Sequence, residues 1–208
     1  MNPNKLFSFY LISVTGGSAS GKSLFISALK DSFSEKITII SQDDYYKSIE
    51  YQHKDEKGIY NFDLPEAIDH DLFLEHLTLL STGKVIRKLE YTFNHPEKIP
   101  REKVFYPRPV VIIEGLFVEY HPVISQNIDF KVFIDADEEI CFQRRRRRDI
   151  FERGIPEEIF LHQWNFHVLP AYRKFVLKFK ESADLVVLNN QDFDEGLEYL
   201  KALISSKI

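Results

Sequence analysis

An eight-residue segment rich in glycine and serine, residues 16–23, separates two runs with different hydrophobic patterns. Residues 10–15 before it are apolar enough to form a buried strand, and residues 22–33 after it repeat their apolar side chains at helical spacing. The segment reads Gly-Gly-Ser-Ala-Ser-Gly-Lys-Ser and satisfies the pattern G-x-x-x-x-G-K-S/T in the strand-to-helix context that the pattern requires. The sequence therefore predicts a loop that binds the phosphates of a nucleoside triphosphate.

Each part of this phosphate loop has a physical task. Glycines let the backbone turn its N–H groups inward around phosphate oxygens, and the first turn of the following helix adds unpaired N–H groups and the positive end of its dipole. The Lys22 ammonium is expected to bridge the β- and γ-phosphates, and the Ser23 hydroxyl to bind Mg²⁺. The predicted nucleotide site consists of Gly16, Gly17, Ser18, Ala19, Ser20, Gly21, Lys22 and Ser23.

The rest of the chain predicts an α/β fold with a doubly wound parallel sheet. Short apolar runs at residues 37–40, 110–113, 130–134 and 185–188 lack polar alternation, which is typical of strands covered on both faces. Helical patterns occupy residues 65–80, 136–152, 156–179 and 193–204, while residues 84–93 favour a hairpin or an extended excursion. Because no linker divides the chain, we expect one domain over residues 1–208, with a helical lid at about 137–160 and a substrate-side excursion at about 84–105.

Composition argues against several classes of protein. The 208 residues carry 27 Lys and Arg against 32 Asp and Glu, and this net charge of −5 argues against a dedicated nucleic-acid coat. The single cysteine, Cys141, excludes an intramolecular disulfide and indicates a reducing, cytoplasmic setting. No apolar stretch approaches membrane length. We expect a soluble, cytoplasmic protein whose partners are neither nucleic acids nor membranes.

Acidic residues follow two of the predicted strands. Asp43 and Asp44 come after the second strand, and Glu114 comes at the end of the third. Because the carboxyl ends of parallel strands meet at the ligand-binding edge of a sheet, Asp43 can accept a proton from an attacking hydroxyl. Position alone leaves equally open that the aspartate pair caps the next element. Glu114 is predicted to hold Mg²⁺ together with Ser23 and Asp43.

Five consecutive arginines, residues 144–148, allow three interpretations. On a helix such a run spreads around the axis, with Arg145 and Arg148 on one face and Asp149 four residues from Arg145. The first interpretation is a lid whose arginines neutralise the transferring phosphate and exclude water. The second is an exposed, salt-bridged helix, and the third is a nucleic-acid contact. The acidic total and the lack of interleaved aromatic residues favour the lid.

These landmarks together resemble the uridine kinase (uridine–cytidine kinase) family of P-loop nucleoside kinases over residues 10–188. The resemblance rests on the phosphate loop and on six further matches in order: Ser-Gln-Asp-Asp-Tyr-Tyr (41–46), Asn-Phe-Asp-Leu-Pro-Glu-Ala (61–67), Tyr-Thr-Phe-Asn-His (91–95), Ile-Glu-Gly (113–115), Arg-Asp-Ile-Phe-Glu-Arg-Gly (148–154) and Gln163. It implies a P-loop NTPase-type fold with a helical lid and a small β-hairpin excursion. It also implies ATP- and Mg²⁺-dependent phosphorylation of the 5′-hydroxyl of uridine or cytidine, in pyrimidine salvage.

The resemblance also assigns roles to individual residues. Asp43 is similar to the family's catalytic aspartate, and Lys22 and Arg148 would act with it on the transferring phosphate. Asp63 resembles the residue that holds the ribose hydroxyls, and Arg153 resembles a phosphate ligand of the lid. The remaining substrate-side matches are Tyr46, Tyr91, Phe93, His95, Arg145 and Gln163. An alternative is that Tyr91 and Phe93 are packing residues of a hairpin and that His95 is a surface loop residue.

Three departures from the family pattern lie on the nucleoside side. His95 follows Tyr91 by four residues where the family has five, Ile155 stands where a basic residue is usual, and Leu64 replaces a common histidine. Phosphoryl transfer from ATP is therefore better supported than the identity of the acceptor. Members of this family are often tetrameric, so the resemblance is compatible with a homo-oligomer.

Two other functions stay open. A nicotinamide riboside kinase shares the Ser-Gln-Asp-Asp segment and the Ile-Ile-Glu-Gly strand end, although its lid helix is shorter. A GTP-binding switch would need a guanine-reading motif, which residues 189–192 echo without the lysine, and a D-x-x-G motif, which residues 55–58 match in a polar loop. A switch would have no use for an arginine lid.

Overall fold

The computed structural model describes residues 5–92 and 98–208. Within these residues seven strands form one five-stranded and one two-stranded sheet. The strands are β1 (Tyr10–Gly16), β2 (Thr38–Ser41), β3 (Ile86–Leu89), β4 (Glu102–Phe105), β5 (Val110–Glu114), β6 (Phe130–Asp135) and β7 (Leu185–Leu188).

The larger sheet is parallel and has the order β2–β5–β1–β6–β7. Ile12 in β1 pairs with Ile112 in β5 on one side and with Phe130 in β6 on the other. All four apolar residues of β5, Val110 to Ile113, are fully buried, as expected for a strand covered on both faces. The predicted α/β parallel sheet is confirmed.

Helices cover both faces of this sheet. Their bounds are α1 (Lys22–Phe33), α2 (His70–Ser81), α3 (Pro122–Gln126), α4 (Glu138–Arg146), α5 (Glu157–Gln163), α6 (Leu169–Ala171), α7 (Lys178–Glu181) and α8 (Asp194–Ser205). Side chains of α1 and α8 join Ile12 and Val14 in one hydrophobic core. Side chains of α2 and α7 join Leu11 in a second core on the opposite face. This alternation along β1 follows from the two-residue period of a strand.

Wide π-helical turns extend the helices at the end of the arginine run and beyond it. Arg147–Glu152 continues α4 to residue 152, whereas Trp164–Val168 and Tyr172–Val176 join α5, α6 and α7 into one helical rod over residues 157–181. The predicted pair of helices, interrupted near Gly154, is present. The wide turns were not predicted, because hydrophobic periodicity does not distinguish them from regular α-helix.

Two predicted elements differ from the structure. Residues 65–80 were expected to form one helix, but Pro65–Ala67 is a short 3₁₀ turn and α2 begins at His70 after its cap, Asp69, which accepts a hydrogen bond from the N–H of Leu72 (3.0 Å). The excursion is a hairpin, yet β3 pairs with β4 thirteen or more residues onward rather than folding back within residues 84–93. A polar connection, in which residues 93–97 lie outside the described part, separates the two strands.

None of the helices in residues 5–92 and 98–208 combines the length and the apolar character needed to cross a bilayer.

Candidate active site

The phosphate loop joins β1 to α1 at the carboxyl end of the central sheet. Gly21 has a φ of +103°, and a Cβ placed there would lie 1.9 Å from the side-chain amide nitrogen of Asn189. Gly16 has a φ of +148°, and its Cβ would lie 2.2 Å from the carbonyl oxygen of Ile134. The loop therefore needs glycine at both positions for backbone conformation and for space.

Neighbouring groups hold the loop in shape. The Lys22 ammonium donates to the carbonyl oxygens of Gly16 (2.9 Å) and Gly17 (2.8 Å), so it lies across the concave side of the loop. Asn189, at the end of β7, donates to the carbonyl oxygen of Ser20 (2.8 Å). Ser23 is exposed on the first turn of α1. This arrangement places the Lys22 ammonium at the start of α1, where the unpaired N–H groups of a helix start favour phosphate binding.

Two carboxylates face Lys22 from neighbouring strand ends. Asp43 lies in the 3₁₀ turn after β2, and Glu114 is the last residue of β5. Burial raises the pKa of Glu114 to about 7, and the nearby charge of Asp43 adds to the shift. The Asp43 carboxylate is accessible to solvent, yet the protein around it limits its hydration and raises its pKa, while Lys22 opposes that shift. Burial lowers the pKa of Lys22, and both carboxylates counteract part of the change.

This donor set suits a divalent cation. The charge of Asp43 raises the pKa of Glu114, and a positive ion bound between these carboxylates and the Ser23 hydroxyl would offset that effect. Oxygen atoms are the ligands that Mg²⁺ prefers. Ser23, Asp43 and Glu114 therefore fit the metal that the sequence predicts.

Residues 138–152, here called the arginine helix, lie against the phosphate loop. Arg144 donates to the carbonyl oxygen of Asn189 (3.0 Å), and Arg145 donates to the Ser18 hydroxyl (2.7 Å). Arg146 and the exposed Arg147 point elsewhere, the former to Glu157. The run thus spreads around the helix axis, as its spacing predicts, and part of it faces the phosphate site.

Buried Asp149 gathers three guanidinium groups. Its oxygens accept from Arg148 (2.8 Å), Arg145 (3.0 Å) and Arg153 (3.2 Å). Burial would raise the pKa of this carboxyl, but the hydrogen bond from Arg148 and the surrounding positive charges lower it. Arg148 also acts electrostatically on Lys22 and Asp43, and Arg153 on Asp43. Asp149 therefore fixes where these guanidinium groups lie relative to Lys22 and Asp43.

An aromatic wall lies beside Asp43. Tyr46 packs edge-on against Phe62, with ring centroids 5.8 Å apart, and contacts Tyr91 at 5.5 Å. Burial raises the pKa of Tyr46 well above its usual value, and the negative charges of Asp43 and Asp63 add to this. Asp63 accepts from Arg145 at 3.4 Å. Flat aromatic surface next to a carboxylate is suited to a ligand that has both a planar ring and hydroxyl groups.

Asp44 joins the hairpin to the 3₁₀ turn Gln42–Tyr45, which also carries Asp43. The two carboxylate oxygens of Asp44 each lie 2.8 Å from the Lys103 ammonium in β4, and one accepts a weaker bond from the N–H of Tyr91 (3.4 Å). Asp44 is buried whereas Asp43 is solvent-accessible. The aspartate pair thus has divided roles, one anchoring the hairpin and the other facing Lys22.

The structure brings together most of the residues predicted for the site. Phe93 and His95 lie outside the described residues. Gln163 is half-buried at the end of α5, with no hydrogen bond from its side chain to another site residue in the described ranges. Sequence reasoning missed Phe62, Lys103 and the role of Asn189 as a loop support. Phe62 was within a matched segment, whereas Lys103 is 59 residues from Asp44 and gives no local signal.

Comparison with known proteins shows the family. The model of the Phosphoribulokinase / Uridine kinase family matches residues 11–195. The chain is 36% identical over 177 residues to the uridine kinase of Chloroflexus aurantiacus, covering 85% of each chain. It is 35% identical over 199 residues to that of Haemophilus ducreyi (93% and 92%) and 36% identical over 197 residues to that of Borreliella burgdorferi (94% of each).

Solved structures agree on the fold. Phosphoribulokinase from Rhodobacter spheroides superposes with a TM-score of 0.60 at 17% identity, over 87% of this chain and 70% of that one. D-glycerate 3-kinase from Cryptococcus neoformans superposes with a TM-score of 0.58 at 15% identity, over 90% and 89%. The phosphate loop, the parallel sheet and the family match together identify this chain as a phosphotransferase of the Phosphoribulokinase / Uridine kinase family.

Proposed function

We propose that the protein transfers the γ-phosphoryl group of ATP to the 5′-hydroxyl of a nucleoside, with uridine or cytidine as the acceptor. The observation that carries this proposal is the position of Asp43. It is close enough to act electrostatically both on the ammonium of Lys22, on the phosphate side, and on Tyr46, which belongs to the aromatic wall of Tyr46, Phe62 and Tyr91. The named activity of the curated relatives, uridine kinase, supports the same reading.

On the phosphate side, the loop would hold the β- and γ-phosphates through its backbone N–H groups. Lys22 would neutralise charge on the transferring group, and Arg148 and Arg153, positioned by Asp149, would add positive charge as the arginine helix covers it. Mg²⁺, when held by Ser23, Asp43 and Glu114, would neutralise the β- and γ-phosphate oxygens.

On the acceptor side, Asp43 would take the proton of the attacking hydroxyl. Its raised pKa makes it a stronger base than a fully hydrated carboxylate. The aromatic wall would hold the base, and Asp63 would accept hydrogen bonds from the two vicinal ribose hydroxyls. Transfer would be direct and in line, because the acceptor hydroxyl itself attacks the γ-phosphate and no protein nucleophile is needed.

The acceptor is tested by ADP release from ATP and Mg²⁺ in a coupled assay. The panel contains uridine, cytidine, adenosine, nicotinamide riboside, ribulose 5-phosphate and a sample without acceptor. We expect stimulation by uridine and cytidine only. Stimulation of ADP release by another acceptor alone would overturn the pyrimidine assignment. If the protein binds nucleotide but no acceptor of the panel stimulates ADP release, the result would contradict a nucleoside kinase and favour the GTP-binding switch.

The ribose contact is tested separately by comparing two proteins, wild type and Asp63→Asn, on acceptors with and without the 2′-hydroxyl. Asp63→Asn should raise the acceptor KM about 10- to 100-fold, the range expected for loss of a charged hydrogen bond, and leave the ATP KM unchanged. Removing the 2′-hydroxyl from the acceptor should raise the acceptor KM of the wild type by a similar factor and that of Asp63→Asn by a much smaller one. An equal rise in KM for the two proteins would contradict the role of Asp63.

A further inference from the structure

Three side chains that can bind metals converge in a place that the proposed reaction does not use. Asp55 lies in the segment between Tyr46 and Asp63, while His162 and His167 belong to the helical rod, residues 157–181. The Asp55 Oδ2 atom is 2.6 Å from Nε2 of His162 and 2.8 Å from Nε2 of His167. The three candidate ligand atoms all lie within 4.8 Å of one another.

The helix geometry explains how both imidazoles reach the same carboxylate. In a regular α-helix two residues five apart point about 140° away from each other, because each turn holds 3.6 residues. The wide turn Trp164–Val168 begins just after His162 and contains His167, and its i to i+5 bonding brings residues five apart closer to the same side of the helix. π-helical turns of this kind occur frequently at functional sites.

The loop that contains Asp55 leaves one carboxylate oxygen for the imidazoles. Asp55 Oδ1 accepts from the backbone N–H groups of Lys57 and Ile59, both at 2.9 Å, which leaves Oδ2 to face the imidazoles.

The histidines are enclosed and adaptable. His167 is almost fully buried, and His162 is half-enclosed, with its ring stacked on Phe166. The buried Nδ1 atom of His162 has no hydrogen-bond partner among the described residues. Because Nε2 of His162 bonds the Asp55 carboxylate, that nitrogen carries the ring proton in the metal-free protein, and an ion bound there would move the proton to Nδ1.

We propose that Asp55, His162 and His167 bind a divalent transition-metal ion of the Zn²⁺ class, with solvent completing a tetrahedral site. Two nitrogens and one carboxylate oxygen form a ligand set that zinc uses, at about 2.0–2.2 Å. Ligands at that distance and a tetrahedral angle are about 3.4 Å apart, so the imidazoles would retreat from Asp55 by less than about 1 Å. The ion would join segments that are 107 and 112 residues apart in the sequence.

The test is a Co²⁺ titration of the full chain, prepared without a histidine tag, stripped with EDTA and kept in excess Mg²⁺. Magnesium occupies oxygen sites such as the active-site carboxylates and competes poorly for imidazole. We expect the visible absorption of tetrahedral Co²⁺ to saturate at one ion per chain and to disappear on adding Zn²⁺. Zn²⁺ should also raise the Tm of the wild type, by an amount that grows with free ion concentration.

Variants separate this site from other binding. His162→Gln and Asp55→Asn should each lower the affinity for the ion at least about 10-fold and abolish the rise in Tm that Zn²⁺ produces in the wild type. The matched control is His53→Gln, an exposed histidine of the same loop, which should keep the wild-type affinity. His167→Gln should lower the affinity for the ion in the same way, and it is included if circular dichroism shows that the variant has a native spectrum. Absence of a saturable Co²⁺ band, or a band that survives His162→Gln and Asp55→Asn, would overturn the proposal and leave an ordinary Asp–His hydrogen-bonded cluster.

Discussion

Lys22 is the residue on which the phosphate side depends. Its ammonium bonds two loop carbonyl oxygens and lies within the electrostatic influence of Asp43, Glu114 and Arg148. In the proposed function this single cation both shapes the loop and offers charge to a phosphate.

Lys22→Ala is therefore expected to lower the affinity for ATP about 10- to 100-fold, the range for one charge-assisted hydrogen bond, and to reduce turnover as well. The measurement is nucleotide titration by calorimetry with a parallel rate assay. Lys30→Ala, which removes an exposed lysine in the last turn of the same helix, is the control and should change neither. Wild-type affinity in Lys22→Ala would contradict the assignment of the phosphate loop.

At the scale of elements, Asp149 organises the arginine helix. It is almost fully buried, and three guanidinium groups from residues 145–153 converge on it. Removing one partner of a buried charge cluster costs about 3–5 kcal/mol, because the remaining charges stay desolvated.

Asp149→Asn should lower the free energy of unfolding by about 3 kcal/mol and also reduce kcat, since Arg148 and Arg153 lose their common support. Urea unfolding and the rate assay measure the two effects. Glu152→Gln neutralises an exposed acid in the same turn and should alter neither quantity. A variant with reduced stability but unchanged kcat would restrict Asp149 to a structural role.

A hydrogen bond joins helix α2 to the 3₁₀ turn Gln42–Tyr45, which carries Asp43. Nδ1 of His76 lies 2.8 Å from the hydroxyl of Tyr45, the residue after Asp44. Burial lowers the pKa of His76, and the charge of Lys88 lowers it further. The folded protein therefore takes up this proton at lower pH than the unfolded chain does.

The sign of the pH effect follows from this difference. As the pH falls through 6.5, the ordinary value for histidine, the unfolded chain gains the proton first, so the free energy of unfolding decreases until the pH reaches the folded pKa. We expect the wild type to lose more stability than His76→Gln between about pH 7.5 and pH 5.5. His53→Gln, at an exposed position, should follow the wild type. Parallel curves for wild type and His76→Gln would refute this contribution.

Local sequence patterns predicted the elements that local physics determines. The strands β1, β5 and β6 follow from unbroken apolar runs, and the phosphate loop follows from glycines between a strand and a helix. The pairing of β3 with β4 did not follow, because the two strands are separated by a polar connection. The wide helical turns were equally hidden, since they leave the apolar spacing almost unchanged.

At the scale of the whole molecule, the parallel sheet brings distant residues to one edge. The ends of β1, β2 and β5 supply the phosphate loop, Asp43 and Glu114, which could be expected from strand order alone. Contacts made by loops and helices beyond the sheet could not be predicted in this way. The Asp44–Lys103 ion pair and the Asp55–His162–His167 cluster both join residues more than 50 positions apart without a repeating pattern.

The proposed mechanism depends most directly on Asp43, the proposed base for the attacking hydroxyl. The decisive measurement is kcat of Asp43→Asn with saturating ATP, Mg²⁺ and the acceptor identified by the panel, together with the Kd for ATP. We expect kcat to fall about 10²- to 10⁴-fold, the usual contribution of a general base, while the Kd changes by less than about 3-fold. Asp31→Asn, at an exposed position of α1, should behave as the wild type. Near-normal turnover in Asp43→Asn would contradict the mechanism.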